Sequence, residues 1–322
     1  MPERIIKFRE AIYEAMYEEM IRDTNVFIMG EDVKRTVPQR FRDEFDSKRL
    51  VNTPLSEEGF TGLGVGAALT GLRPIVDMTY TDFILLAMDA VVNQAAKASY
   101  MFGGHASVPL VIRTHCGAGR GNAAQHSQSL EALFTQIPGL ITIMPATPYD
   151  AKGLLKSAIR SNNPVIFIEN KNMWSNKGLV PEDEYLVPIG RSDIKRVGKD
   201  LTIVATSSMV VSALSASEKL AQEGVDIEVV DVRTLVPLDI ETITRSIKKT
   251  HRLLVINQGP HTSGFAAELV ARTCETTFSS LEAPVVRLTS RDVPVPFSQA
   301  LEASVFPTEA QIVDAVKDIL SK

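Results

Sequence analysis

Apolar residues in the first half of the chain fall into two alternating spacings. Phe8, Ile12, Ala15, Met16 and Met20 recur at helical intervals, so the opening MPERIIKFREAIYEAM reads as an amphipathic helix. Asn25–Gly30 follows as an unbroken apolar run, the pattern of a buried strand. Strands of the same kind fit Pro74–Met78, Pro109–Arg113, Leu140–Met144 and Pro164–Glu169. Helical patterns fit Phe60–Thr70, Phe83–Lys97, Ser127–Phe134 and Pro148–Ser161. Strands that lack polar alternation and are separated by helices predict an α/β fold whose mainly parallel sheet is covered on both faces.

Periodicity fails from Asn170 to about Lys199, a stretch rich in Gly, Pro and charge. A second series then begins: strand 201–205, helix 209–223, strand 226–232, helix 240–249, strand 253–256, helix 264–277 and strand 284–288, with a closing helix over 309–321. Two α/β domains are expected, 1–185 and 199–322, joined by a linker at 186–198.

Bulk properties narrow the class. The 322 residues are 44% hydrophobic and 23% charged, ordinary for a globular chain, and the length favours two domains. A net charge of −5 with no basic run excludes the usual signature of a nucleic-acid partner. Cys116 and Cys274 cannot build a disulfide framework, which fits a reducing compartment. No signal peptide and no membrane-spanning run is read in the sequence. The expected location is the cytoplasm, or an organelle matrix for a processed precursor.

Two segments carry candidate chemistry. In NTPLSEEGFTGLGVGAA, Ser56 is placed to cap a helix that Glu57 and Glu58 open. Either acid complements the helix dipole; Leu55 and Phe60 beside them offer apolar surface that desolvates one carboxylate. The helix then carries four glycines in eight residues, each costing about 1 kcal/mol relative to alanine. Gly59, Gly62 and Gly66 share one face, as a close contact with another subunit requires. The second segment is Cys116–Ser129. Its GAGRG lacks the third glycine of a dinucleotide fingerprint and reads as a mobile loop. His126 follows it among Gln and Ser groups that can fix its tautomer for proton transfer; a structural or solvated histidine is the plainer reading.

Four blocks together, NTPLSEEGFTGLGVGAALTGLRPIVDM, FILLAMDAVVNQAAKASYMFGG, GAGRGNAAQHSQSLEALF and IPGLITIMPATPYDAKGLLKSAIRSNNPVIFIEN, resemble the beta subunits of 2-oxo acid dehydrogenases. The likeness continues through DVRTLVPLDIETI and APVVRLTSRDVPVPFSQALE and covers nearly the whole chain. YMFGGHASVPLVIRTHCGAG and GLVPEDEYLVPIGRSDIKR look most like acetoin dehydrogenase beta chains, with pyruvate and branched-chain relatives close behind.

The resemblance implies a transketolase-like pyrimidine-binding domain followed by a transketolase C-terminal domain. It implies thiamine diphosphate as cofactor, shared with an alpha subunit in an alpha2-beta2 heterotetramer. Glu57 matches the glutamate that hydrogen-bonds the aminopyrimidine ring, Phe83 the aromatic packed against that ring, and His126 the histidine acting near the thiazolium. Leu110, Ala158, Ile159, Ser161 and Asn163 match positions that hold a structural potassium ion in some relatives. Ser161 replaces an aspartate of pyruvate-type relatives, Asn52 another aspartate, and Gln258 a glutamate. The insert after GEDV is shorter than usual. No GDG motif occurs, so Mg²⁺ and the diphosphate fall to the alpha subunit. The implied reaction cleaves or decarboxylates acetoin, pyruvate or a branched 2-oxo acid and passes the acyl unit to a lipoyl group on an acyltransferase core. Two other readings are a carboligase half working without lipoate and a non-catalytic scaffold subunit.

Overall fold

The structure is a computed structural model that describes residues 3–322. Its chain divides into two compact units. The first runs through Cys116 and resumes over Leu133–Ile189; the second comprises Gly117–Ala132 and Gly190–Lys322.

In the first unit, β1 (Glu3–Lys7) precedes α1 (Phe8–Arg22). The opening segment is therefore strand before helix, and β1 pairs antiparallel with β8 (Lys177–Pro181). Between them lie β2 (Val26–Gly30), α2 (Val33–Thr36), α3 (Gln39–Glu44), β3 (Leu50–Asn52), α4 (Glu57–Leu69) and β4 (Arg73–Met78). Next come α5 (Ala96–Met101), β5 (Val111–Cys116), α6 (Glu131–Thr135), β6 (Ile141–Ile143), α7 (Pro148–Arg160) and β7 (Val165–Asn170). The parallel strands lie in the order β6-β7-β5-β4-β2-β3. β5 and β7 are buried at every position, which explains their unbroken apolar runs. The helix expected over 83–97 is broken into a 3₁₀ turn at Thr81–Ala87 and a π-helical stretch at Asp89–Ala95 before α5.

α1 packs on α7 through buried charge as well as apolar contact. Lys152, fully buried, bonds Glu18 at 2.7 Å, while Arg160 bonds Glu19 at 2.7 Å. Pairing makes such burial tolerable; an unpaired ammonium there would cost several kcal/mol, order of magnitude.

In the second unit the order is β9 (Asp193–Arg196), β10 (Leu201–Ala205), α8 (Ser208–Gln222), β11 (Ile227–Asp231), β12 (Thr234–Val236), α9 (Ile240–Thr250) and β13 (Leu253–Pro260). α10 (Phe265–Thr277), β14 (Val286–Ser290), α11 (Gln299–Glu302) and α12 (Glu309–Leu320) complete it. The sheet order is β14-β13-β10-β11-β9. Only β9 is antiparallel; it forms inside the stretch expected as linker, so that stretch contributes an edge strand. α12 closes on α8 and begins with the Thr308–Gln311 capping box.

Candidate active site

Glu57 is the first residue of α4, preceded by Ser56 with φ −161°. Ser56 stands at the N-cap but makes no side-chain capping bond, so the expected cap is absent. Glu57 is half-buried and Glu58 exposed. Among the described residues the Glu57 carboxyl has no hydrogen-bond partner. Phe60 is buried, but Leu55 is 71% exposed, so only one of the two expected apolar flanks shields the acids within this chain. Burial, then the nearby Asp32 and Glu57 charges, push the Glu31 carboxyl above its usual range. Glu57 therefore sits in an acidic neighbourhood at the carboxyl end of β2.

Gly64 lets α4 settle on the sheet: a Cβ there would stand 2.8 Å from Val76 Cγ2. The same helix packs against the Thr81–Ala87 turn, which carries the half-buried Phe83. The fold thus brings the elements of Glu57 and Phe83 together. Gly62 and Gly66 face open space. Nearby in sequence, Leu63, Leu86, Tyr100, Met101 and Phe102 are all more than half exposed. So many large apolar side chains in one unit are the mark of a surface that another chain covers.

A buried ionic cluster at the carboxyl ends of β4, β5 and β7 was not foreseen. Arg113 Nη1 donates to Asp77 at 2.6 Å, and its Nε and Nη2 donate to Glu169 at 2.5 and 3.1 Å. Trp174 Nε1 donates to the same carboxylate at 3.2 Å, and the His115 ring stands edge-on to Trp174 at 4.6 Å. Although burial opposes ionisation, Arg113 and then His115 hold the Glu169 carboxyl down at about 2. The available signal was a charge inside each of three neighbouring apolar strands: Asp77 in RPIVDM, Arg113 in VIRTHC and Glu169 in VIFIEN.

His126 lies in the second unit, at the end of a single 3₁₀ turn, Ala124–His126, and is half-buried. Ahead of it Gly117, Gly119 and Gly121 have φ of 90°, 106° and 64°, the left-handed region glycine tolerates. Ala123 shares that region at 60° without being glycine, a strained position. The loop is tethered: Glu302 accepts from the Gly119 and Gly121 amides at 2.7 and 3.0 Å. The helix expected over 127–134 is reduced to α6, because Ser127, Gln128 and Ser129 continue as non-helical chain. Ser127 and Ser129 are buried, with hydroxyls that have no hydrogen-bond partner among the described residues. They line a cavity of about 580 Å³ together with Gln258, Ser290, Arg291 and Phe306. Glu131, at the base of this segment, accepts from Asn257 Nδ2 at 2.9 Å, and complete burial pushes its carboxyl up. Gly259 is required beside this pair: a Cβ would stand 2.6 Å from Asn257 Oδ1 and 2.8 Å from Glu131 Oε1.

The five residues expected at a potassium site cluster around the end of α7. Ala158 and Ile159 fall in its last turn, where carbonyls carry partial negative charge; Ala158 O accepts from the capping Ser161 N at 3.1 Å. Leu110 O accepts from Val165 N at 2.8 Å and Ser161 O from Arg73 Nη1 at 3.2 Å, each keeping a second lone pair. Hard carbonyl oxygens of this kind fit a monovalent cation in chemistry, while the Arg73 guanidinium already supplies positive charge at Ser161. Among the described residues no group of three or more His, Cys, Asp or Glu is placed to hold a metal, and no helix is long and apolar enough to cross a membrane.

Comparison with known proteins agrees with this architecture. Residues 4–176 match the family "Transketolase, pyrimidine binding domain" and residues 190–312 match "Transketolase, C-terminal domain". The chain is 44% identical to the acetoin:2,6-dichlorophenolindophenol oxidoreductase subunit beta of Bacillus subtilis (strain 168), over 99% of this chain and 98% of that one. It is 43% identical to the pyruvate dehydrogenase E1 component subunit beta of Rhizobium meliloti (strain 1021), over 98% of this chain and 70% of the relative. A solved split-gene transketolase, an inactive beta4 tetramer, superposes with TM-score 0.79 over 98% of both chains at 24% identity, a likeness of fold. The chain belongs to the transketolase-like family, among relatives that are beta subunits of acetoin and pyruvate dehydrogenases.

Proposed function

We propose that this chain is the beta half of a thiamine-diphosphate-dependent acetoin or 2-oxo acid dehydrogenase component, with its active site completed by an alpha subunit. The observation that carries the reading is Glu57: a half-buried carboxyl without a hydrogen-bond partner among the described residues, on a helix packed against the turn of Phe83. A carboxyl so placed is suited to share a proton with a ring nitrogen. When bound, thiamine diphosphate supplies the carbon nucleophile and electron sink for cleavage beside a carbonyl.

Within the chain, Glu57 holds the proton at the pyrimidine nitrogen, and cover by a second subunit completes its burial. Phe83 offers an aromatic face to the same ring. His126 moves protons to and from the reacting carbonyl oxygen, an effect worth about 10²–10⁴ in rate. Mg²⁺ and the diphosphate rest on the alpha subunit, and the acyl product leaves on the lipoyl group of an acyltransferase core. The carbonyls of Leu110, Ala158, Ile159, Ser161 and Asn163 would hold potassium. The open face at Gly62 and Gly66, with its exposed Leu63, supports alpha2-beta2 assembly, and the location proposed for it is the cytoplasm or an organelle matrix.

The test is Glu57→Gln against Glu58→Gln in the assembled complex. Glu57→Gln is expected to abolish turnover and exchange of the cofactor's acidic carbon-bound proton, with assembly intact. Glu58→Gln leaves both near wild type. Loss of exchange in Glu58→Gln alone, or in neither variant, rejects the assignment.

A further inference from the structure

The GAGRG loop and the turn that ends in Glu302 form a clamp inside the second unit. Gly119 N–H and Gly121 N–H point at the two oxygens of one carboxylate, Oε1 at 2.7 Å and Oε2 at 3.0 Å. Convergent amides from left-handed backbone make an anion-binding nest, and hydrogen bonds to a charged acceptor are about twice as strong as neutral ones. Glu302 is 1% exposed, so its carboxylate is shielded from water although Gly119 lies at the surface. The fit between loop and turn is close as well: a Cβ on Gly121 would meet Phe297 O at 3.2 Å and Gln299 Cγ at 3.4 Å. The carboxylate therefore fixes a glycine-rich segment that would otherwise sample many conformations, and the next ordered turn along the chain is the one that ends in His126.

We infer that Glu302 is a positioning residue: its carboxylate occupies the nest of the Gly119 and Gly121 amides and thereby sets the placement of His126. The inference rests on the reading of His126 as the proton-transfer residue, and its first readout does not depend on that reading. Holding Gly119 and Gly121 keeps strained Ala123 at φ 60°, two residues after the clamp and three before His126. Without the carboxylate the loop relaxes, and the imidazole loses its fixed approach to the substrate.

Limited trypsinolysis of the full-length chain tests the clamp directly. Arg120 is exposed, and the scissile Arg120–Gly121 bond contains the very N–H that donates to Glu302. Glu302→Ala is expected to speed cleavage after Arg120 at least tenfold, equivalent to about 1.4 kcal/mol of lost restraint. Cleavage at other sites should stay unchanged. Acetate replaces the atoms removed by the substitution, so it should restore resistance in Glu302→Ala where chloride at equal ionic strength does not. In the assembled enzyme the same variant should lose kcat with little change in KM, and acetate should recover it. If Glu302→Ala fails to fold, Glu302→Gln keeps the volume and one acceptor and should cleave at an intermediate rate. Wild-type cleavage rates in both variants, acceleration at every site alike, or failure of acetate to restore resistance overturns the inference. Normal turnover in His126→Ala would instead overturn the role of His126, while the proteolysis would still report on the clamp.

Discussion

Removing the guanidinium at the centre of the buried ionic cluster should be among the most damaging single changes in the first unit. Arg113→Met keeps an unbranched apolar stem but leaves Asp77 and Glu169 buried without their shared cation. Glu169 sets the scale. Its carboxyl is held from an ordinary 4.5 down to about 2, which at about 1.4 kcal/mol per pH unit is about 3 kcal/mol of stability at neutral pH. That agrees with the roughly 3–5 kcal/mol lost when one partner of a buried pair is deleted. A carboxyl held below its unfolded value stabilises the fold above that value and surrenders the contribution as pH falls through its folded one. The gap between wild type and Arg113→Met should therefore be largest near pH 7 and close progressively between pH 5 and pH 2. The chain's single tryptophan is a built-in probe, since Trp174 donates to Glu169 at 3.2 Å. Urea unfolding followed by Trp174 emission at several pH values is the assay. A gap below about 1 kcal/mol at pH 7, or one equally wide at pH 3, would refute the reasoning.

Three further outcomes are expected. Burial holds the Glu131 carboxyl above the usual range, so stability is lost as pH rises beyond 4.5; Glu131→Gln should flatten that slope in thermal melts between pH 5 and 8, and an unchanged slope would count against it. Gly66 faces open space, so Gly66→Leu should leave the isolated chain as stable or up to about 1 kcal/mol more stable, while size-exclusion chromatography of co-expressed subunits shows loss of the tetramer. Ser161→Asp adds an anionic ligand at the carbonyl cluster and should enlarge the stabilisation gained on replacing NaCl by KCl, by about 1.4 kcal/mol for each tenfold gain in affinity at saturating salt, read as a larger rise in Tm; an equal response in both proteins would argue against a cation there.

Apolar periodicity placed the buried parallel strands well. The expected 201–205 is β10 as observed, and 74–78 lies within β4. It failed where the partner is distant or the run is short. β1 spans five residues and exists by pairing with β8 far along the chain, so RIIK was absorbed into the helix that follows. The stretch 127–134 carries helical spacing, but its Ser and Gln residues remain non-helical and only five residues form α6. Glu57 stood out as a candidate because a proline, an acid pair and a glycine-rich helix adjoin one another in sequence, and the family resemblance singled it out from Glu58. Glu302 was invisible because nothing in FSQALE marks it as the acceptor for amides 183 and 181 residues upstream.

That separation has a consequence for how the protein is made. The GAGRG loop emerges from the ribosome 183 residues before the carboxylate that holds it. At about 5–20 residues per second, the loop waits roughly 10 to 40 s for its anchor. During that interval neither left-handed glycine has its acceptor, and Ala123 has no reason to keep a strained φ. The segment ending in His126 therefore lacks this anchor until Glu302 has been made, whatever the order in which the sheets assemble. A nascent chain can pair the strands of the first unit well before this loop gains its anchor, so the sheet and the loop are fixed at different times.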